Sequence, residues 1–224
     1  MKNGIAALLM LLLICTGVSS LNGETRVYKE TVKGQVTTHT FHIEKSPAGC
    51  NITLKSETGG TNIEQTFELD TNLSALSWHY EDPGKKTQIT AEKKGNKIYL
   101  KGIHKGKAID KTFKIDDRPW NQGFNVGLEK FVLSSKKKMK FWAIGTSGPG
   151  DMKITTFSVK KKKTETIVLN GKKVEAVHVQ MSLTGLLSIF WTGNYWYRKV
   201  DGTFLRYKGK SRRSSSDSME LISE

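Results

Sequence analysis

The side chains able to do chemistry are few and scattered. Five histidines, two cysteines and 21 acidic residues stand in 224 positions. His39 and His42 are three apart, which on a strand sends them to opposite faces, so they cannot share one ion without a bulge. His79, His104 and His178 have no partner at ligand spacing, and zinc needs three or four ligands held tetrahedrally. All five read as ordinary sheet histidines, and no metal or other cofactor is expected. Gly145-Thr146-Ser147-Gly148-Pro149-Gly150 is glycine-rich like a phosphate-cradling loop. It lacks the Lys-Ser/Thr ending, and it runs into Met152-Lys153-Ile154-Thr155, a strand sequence with no helix N-terminus to hold a phosphate. It reads as a long hairpin turn. No Gly-x-Ser-x-Gly occurs, so the strand–turn–helix nucleophile of the α/β-hydrolases is absent. Asp116-Asp117 and Glu81-Asp82 fall in turn sequences, where carboxylates are solvated. No catalytic residue follows from spacing, and a carboxylate pair assembled only by the fold stays open.

The aromatic residues are better organised. Phe190-Trp191-Thr192-Gly193-Asn194-Tyr195-Trp196-Tyr197-Arg198 precedes Val200-Asp201-Gly202, a tight-turn signal, and Thr203-Phe204-Leu205-Arg206-Tyr207-Lys208 follows it. Asp-Gly tolerates the positive φ of a two-residue hairpin turn. In an extended chain Trp191, Tyr195 and Tyr197 share one face, with Phe190, Trp196 and Arg198 on the other. Together with Trp142, these side chains could line an apolar site or simply pair across strands. The ligand-facing set is read as Trp142, Trp191, Tyr195, Tyr197, Arg198 and Arg206. Tyr195 and Tyr197 are expected to meet the ligand and Trp196 to anchor the core.

The elements that must hold these residues are strands. From Thr25 onward, short alternating runs are broken by turn residues every ~8–12 positions, the spacing of an all-β sandwich or barrel. Val177, Val179, Met181 and Leu183 form an apolar stripe opposite His178, Gln180 and Ser182, and Asn170-Gly171 is a second hairpin signal. Such one-sided burial marks antiparallel sheet. Asp116 to Gly123 interrupts the pattern, and Phe124, Leu128, Phe131 and Val132 then recur at helical spacing. The fold class expected is mainly all-β: a large curved antiparallel sheet, an unclosed barrel or a sandwich, with one short helix or crossover near 120–133. Trp120 is expected to plug one end of it.

The ends differ from the middle. Lys2 followed by the apolar run Ile5 to Ile14, with Val18-Ser19-Ser20 after it, reads as a signal peptide over 1–20 cleaved near Ser20. The run is shorter than the ~20 residues a membrane-spanning helix needs. A single β-rich domain is expected over 21–208. Residues 209–224, with Arg212-Arg213, three serines and few apolar side chains, read as a disordered tail. Cys15 leaves with the signal, so Cys50 is expected to pack as a small apolar residue. Removing Lys2 from the 36 basic residues leaves 35 against 21 acidic ones, a formal +14. Such a charge attracts polyanions, although lysines at strand ends also protect sheet edges.

Phe141-Trp142, Val174-Glu175-Ala176, Phe190-Trp191, Tyr195-Trp196-Tyr197-Arg198 and Asp201-Gly202-Thr203-Phe204-Leu205-Arg206-Tyr207 together resemble an uncharacterised family of exported bacterial β-rich proteins, labelled only as a domain of unknown function. More remotely, the repeated hairpins resemble the unclosed barrels of the LolA/LolB type. That architectural likeness implies a hydrophobic concave face able to take up acyl chains; none of that family's motif residues is carried over.

The leading expectation is a non-enzymatic exported protein, periplasmic or extracellular. It would bind a lipid-like or other amphipathic envelope ligand, with lysines meeting an anionic envelope surface and no specific nucleic acid as partner. The alternatives are an exported hydrolase acting on an acidic envelope polymer, recognisable by a cleft of converging catalytic groups, and an envelope assembly subunit that uses a free strand edge.

Overall fold

The computed structural model describes residues 22–147, 151–185, 191–211 and 214–224. The signal segment 1–20, Phe190, Arg212-Arg213 and the 148–150 part of the glycine-rich turn lie outside them. Chain order runs β1 (Asn22–Val32), β2 (Gln35–Ser46), β3 (Gly49–Thr58), β4 (Thr61–Asp70), β5 (Ala75–Asp82), a 3-10 turn (Pro83–Lys85), β6 (Thr87–Lys94), β7 (Lys97–His104) and β8 (Lys107–Lys114). Two short helices follow, α1 (Phe124–Gly127) and α2 (Glu129–Leu133). Then come β9 (Lys138–Ser147), β10 (Asp151–Leu169), β11 (Lys172–Leu183), β12 (Trp191–Arg198), β13 (Phe204–Ser211) and β14 (Ser214–Ser223). All are antiparallel neighbours in one 14-stranded sheet, ordered β8-β7-β6-β5-β4-β3-β2-β1-β14-β13-β12-β11-β10-β9.

Two hairpin meanders, β1–β8 and β9–β14, are therefore joined by a single ladder between β1 and β14. The turn chemistry explains the meanders. Asn170 and Gly171 adopt φ of 49° and 77°, as Asn-Gly hairpins require, and Leu169 pairs with Lys172 across them. Gly202 takes φ 76° in the β12–β13 turn, and a Cβ there would lie 3.0 Å from the Glu129 carbonyl oxygen. Of the tail expected to be disordered, residues 209–211 end β13 and 214–223 form β14, hydrogen-bonded on both sides. Its serines are poor strand formers alone, but β1 and β13 supply ladders on either flank, and Leu221 is buried.

The sheet rolls around the helical segment. Tyr197 Oη donates to the Phe124 carbonyl oxygen at 3.1 Å, and the Phe124 ring lies 5.5 Å from Phe141 and 5.7 Å from Phe157. On the other side Gly123 abuts Phe67 of β4. Contacts to both meanders mean that α1 and α2 plug one end of the roll. Trp120, fully buried, completes the plug: its carbonyl oxygen accepts from Ala75 N–H at the start of β5.

A buried charge network fastens this plug. Arg26 of β1 donates to Glu129 Oε1 at 2.5 Å and to Glu24 Oε1 at 2.8 Å. Lys45 Nζ lies 3.0 Å from Glu24 and 3.4 Å from Glu129. Arg26 and Glu129 are both buried, so neither charge has water to fall back on. Burial pushes the Glu129 carboxyl above its ordinary range, against the pull of Arg26 and Lys45. Cys50 nearby is a buried free thiol, pushed up to about 11 by burial, and so packs as a neutral side chain.

The two sheet edges overlap. Phe141 and Ala143 of β9 face the plug, whereas Ile144, and Met152 of β10, sit on the opposite face, where an outer wall would leave them in water. They are only 4% and 3% exposed. Trp78, Ile89 and His104, from β5, β6 and β7, cover them across a shared cavity. Lys111 of edge strand β8 pairs with Asp151 and donates to the Met152 carbonyl oxygen at 3.1 Å. The edge strands also carry lysines, Lys107, Lys111 and Lys114 on β8 and Lys138 and Lys140 on β9, which discourages pairing with other chains.

Removing one partner of the buried pair should cost ~3–5 kcal/mol because the other is left charged or unpaired. Urea unfolding of Arg26→Met should show that loss, and Arg26→Met combined with Glu129→Leu should recover most of it. Equal losses in the two variants would mean that the pair does not fasten the plug.

Candidate functional site

The six aromatic and basic residues read as ligand-facing do not converge. Trp191 and Tyr195 lie together on the concave face of β12. Trp191 is 5.8 Å from Phe157, and Tyr195 is 4.9 Å from Tyr207 of β13. Gly193 and Gly209 pair directly across these strands. A Cβ on Gly193 would fall 2.8 Å from the Tyr195 ring, and one on Gly209 would strike Tyr207. The glycines thus form a floor on which the rings lie, and the concave space is filled by the protein's own side chains. Tyr197 is deeper still, fully buried against α1.

Trp142, Arg198 and Arg206 are elsewhere. Trp142 faces away from the plug, donating Nε1–H to Asp116 Oδ1 at 2.9 Å, with Arg118 stacked 4.2 Å from the ring centre. Arg118 and Trp142 hold the Asp116 carboxyl well below the usual carboxylate range. Arg198 pairs with Asp201 at 3.0 Å and with Glu224. Arg206 pairs with Glu220 and donates to the Val168 carbonyl oxygen at 2.6 Å. The expected division between tyrosines and Trp196 is reversed. Tyr195 and Tyr197 belong to the core, and Trp196 is half-buried on the convex face, stacked 4.8 Å from His178 and donating to Glu165 at 2.9 Å. Strand alternation correctly separates the two sets; the direction in which the sheet curls decides which set is inside.

The cavity at the overlap has the features of a site. It measures about 340 Å³ and is walled by Trp78, Tyr80, Ile89, Ile144 and Met152. Small-molecule pockets span ~300–1,000 Å³ and are mostly apolar with a few placed polar groups. Here the polar group is His104. It follows Ile98 and Leu100 on the concave face of β7, is 9% exposed, and has no hydrogen-bond partner on either ring nitrogen. A neutral imidazole carries one donor and one acceptor, and leaving such a group unpaired costs ~1–3 kcal/mol. Burial, then the neighbouring Lys105, depress its pKa, while Asp151 opposes them.

Two turns make the lip of this cavity. Asp82 Oδ1 accepts from Lys85 N–H at 3.0 Å, and Asp82 Oδ2 takes Lys85 Nζ at 2.8 Å and Tyr80 Oη at 3.1 Å. Burial and then Asp82 push the Tyr80 hydroxyl up to about 12. Thr87 Oγ1 accepts from Lys105 N–H at 3.0 Å, and Gly106 N–H donates to the Lys86 carbonyl oxygen at 2.9 Å. The β5–β6 and β7–β8 turns are thereby tied together. Lys85 is held by Asp82, whereas Lys105 has no ion-pair partner among the described residues. The result is an apolar slot with an unpartnered imidazole inside and a cationic rim.

A serine, a histidine and a carboxylate do meet at one other place. Ser56 Oγ lies 2.8 Å from His39 Nδ1, and His39 Nε2 lies 3.0 Å from Glu30 Oε2. Ser56 is 5% exposed on β3, a strand paired on both sides by β2 and β4. Its neighbouring backbone N–H groups are in those ladders, so no donors converge to stabilise an oxyanion. The row is a cross-strand hydrogen-bond chain. Among the described residues, no three His, Cys, Asp or Glu side chains gather as a metal site would require.

No protein-family model matches the chain, and no curated protein matches it. Among solved structures, it is similar to the crystal structure of a β-barrel-like protein of a domain of unknown function, DUF1849, from Brucella abortus. The TM-score is 0.62 at 12% identity, over 91% of this chain and 97% of that one. At this identity the likeness speaks for the fold alone. It agrees with the sequence resemblance to an uncharacterised β-rich family, and the unclosed antiparallel sheet agrees with the expected fold class.

Because the folded His104 has a depressed pKa, its contribution to stability is complete above the unfolded value, ~6.5. It is lost as pH falls below that value, where the unfolded chain takes up the proton first. The melting temperature should therefore decline between pH 7 and 5.5, and His104→Gln should flatten that decline. An unchanged slope in the variant would mean that His104 is not buried as described.

Proposed function

We propose that this is a non-enzymatic, exported binding protein that holds an amphipathic envelope ligand in the slot where its sheet edges overlap. The observation that carries the reading is His104: a buried imidazole with two unpartnered nitrogens, set in an apolar cavity rimmed by lysines. An apolar tail between Trp78, Ile89, Ile144 and Met152 would gain roughly 25 cal/mol for each Å² taken from water. A polar or anionic head would satisfy His104 and meet Lys105. The rolled concave face is a weaker candidate, since Tyr195, Tyr197, Phe141 and the plug fill it.

The enzyme reading has no comparable support, because the Glu30–His39–Ser56 row offers no oxyanion donors. An assembly subunit working through a free edge would need an exposed edge strand; here the edges overlap and carry lysines. Export rests on the signal-like segment 1–20, and the basic surface would draw the mature protein toward anionic envelope material.

Lys105 lies on the rim of the slot, exposed and without an ion-pair partner among the described residues. Lys105→Glu should therefore reverse the charge that an anionic head would meet without disturbing the fold. Native mass spectrometry of the mature protein with sodium decanoate should show one bound molecule, lost in Lys105→Glu while the melting temperature stays near that of the parent. Bare protein throughout, or equal uptake by the variant, would contradict the proposal.

A further inference from the structure

The plugged end of the roll carries a second cavity of different chemistry, about 470 Å³ in volume. It lies between the β4–β5 turn, Lys93 of β6, the 117–121 stretch and the approach to β9. Its rim holds Lys93, Lys130 and Lys136, and its acceptors include Asp117 and Asn121. Lys130 Nζ donates to the Thr71 carbonyl oxygen, which pins it at the rim. Asp70 is occupied, accepting from Asn72 and Ser74 N–H at 2.8 and 2.9 Å. The ammonium groups of Lys93 and Lys136 and the Asp117 carboxylate have no partner among the described residues.

Asn121 supplies an independent sign of a ligand. It is 1% exposed, and its side-chain Oδ1 has no hydrogen-bond partner. A Cβ on Gly127 would lie 2.2 Å from that oxygen, so only glycine there lets the amide stay in place. An unpartnered buried acceptor calls for a hydroxyl or amide donor.

We propose that this cavity and its lysine border bind a hydroxyl-rich anionic polymer, an acidic glycan. Carboxylates of the glycan would meet Lys93, Lys130 and Lys136, and a sugar hydroxyl would donate to Asn121 Oδ1. The site is separate from the slot at His104 and does not depend on it.

The test titrates the mature protein with pentagalacturonate by calorimetry, at low and at physiological salt. Binding should weaken with salt, as phosphate-bearing polymers do when lysines release counterions. Lys93→Gln with Lys136→Gln should weaken it by about tenfold or more. Lys172→Gln with Lys173→Gln removes the same charge from the distant β10–β11 turn and should have a much smaller effect. Asn121→Ala should lower affinity while leaving the salt slope unchanged. Equal losses in the two lysine pairs would overturn the proposal, as would equal binding of an uncharged galactose oligomer. Rim-lysine-dependent binding to anionic phospholipid vesicles, with no binding of pentagalacturonate, would overturn it in favour of a membrane surface.

Discussion

The structure hangs on the ladder between β1 and β14. Every other pairing in the sheet joins strands consecutive in the chain, and each meander alone would end in open edges. Tyr28 pairs with Leu221 and Glu30 with Met219, residues separated by nearly the whole described chain. Closing so long a loop costs chain entropy before it returns any contact, so this pairing is expected to form late. The return comes from what it assembles. Tyr28 is brought against Phe204 at 5.3 Å, with its hydroxyl donating to the Phe204 carbonyl oxygen. Arg26 is placed where Glu129 can reach it.

Once the meanders are joined, the curl of a strongly twisted sheet brings the outer edges toward each other. They do not meet in register. β9 and β10 pass inside β5–β8, and the side chains facing each other across that overlap are mainly apolar. The cavity at His104 is the residual space of this arrangement. The plugged end has a different origin, since a polar crossover, two short helices and several turns leave lysines and carbonyl groups around the second cavity. One fold thereby makes an apolar slot and a basic, hydroxyl-accepting pocket on one chain.

Much of the fold could be read from residue patterns, because hairpins are local. Asn170-Gly171 and Asp201-Gly202 announce their turns, and Val179 and Met181 alternate cleanly into the core. The segment near 120–133 announces itself through Trp120 and the spacing of Phe124, Leu128 and Phe131. β14 could not be read, because its serines and acidic residues carry no strand signal and one of the two ladders that order it is to β1, at the far end of the described chain. The candidate site was equally hidden. Trp78, His104, Ile144 and Met152 are each unremarkable strand residues, and only the overlap of the edges, set by curvature, brings them together. The same limit explains the tyrosines of β12, whose alternation was legible and whose inward direction was not.

Hydrogen–deuterium exchange along β1 and β14 tests the central claim most directly. If that ladder joins the two meanders, the amides of residues 28–31 and 218–221 should exchange as slowly as those of β3 and β4, because all of them open only with the sheet. Fast exchange at 218–221, with β3 and β4 still protected, would contradict the account: the chain's end would then lie outside the sheet, and the roll would need another fastening.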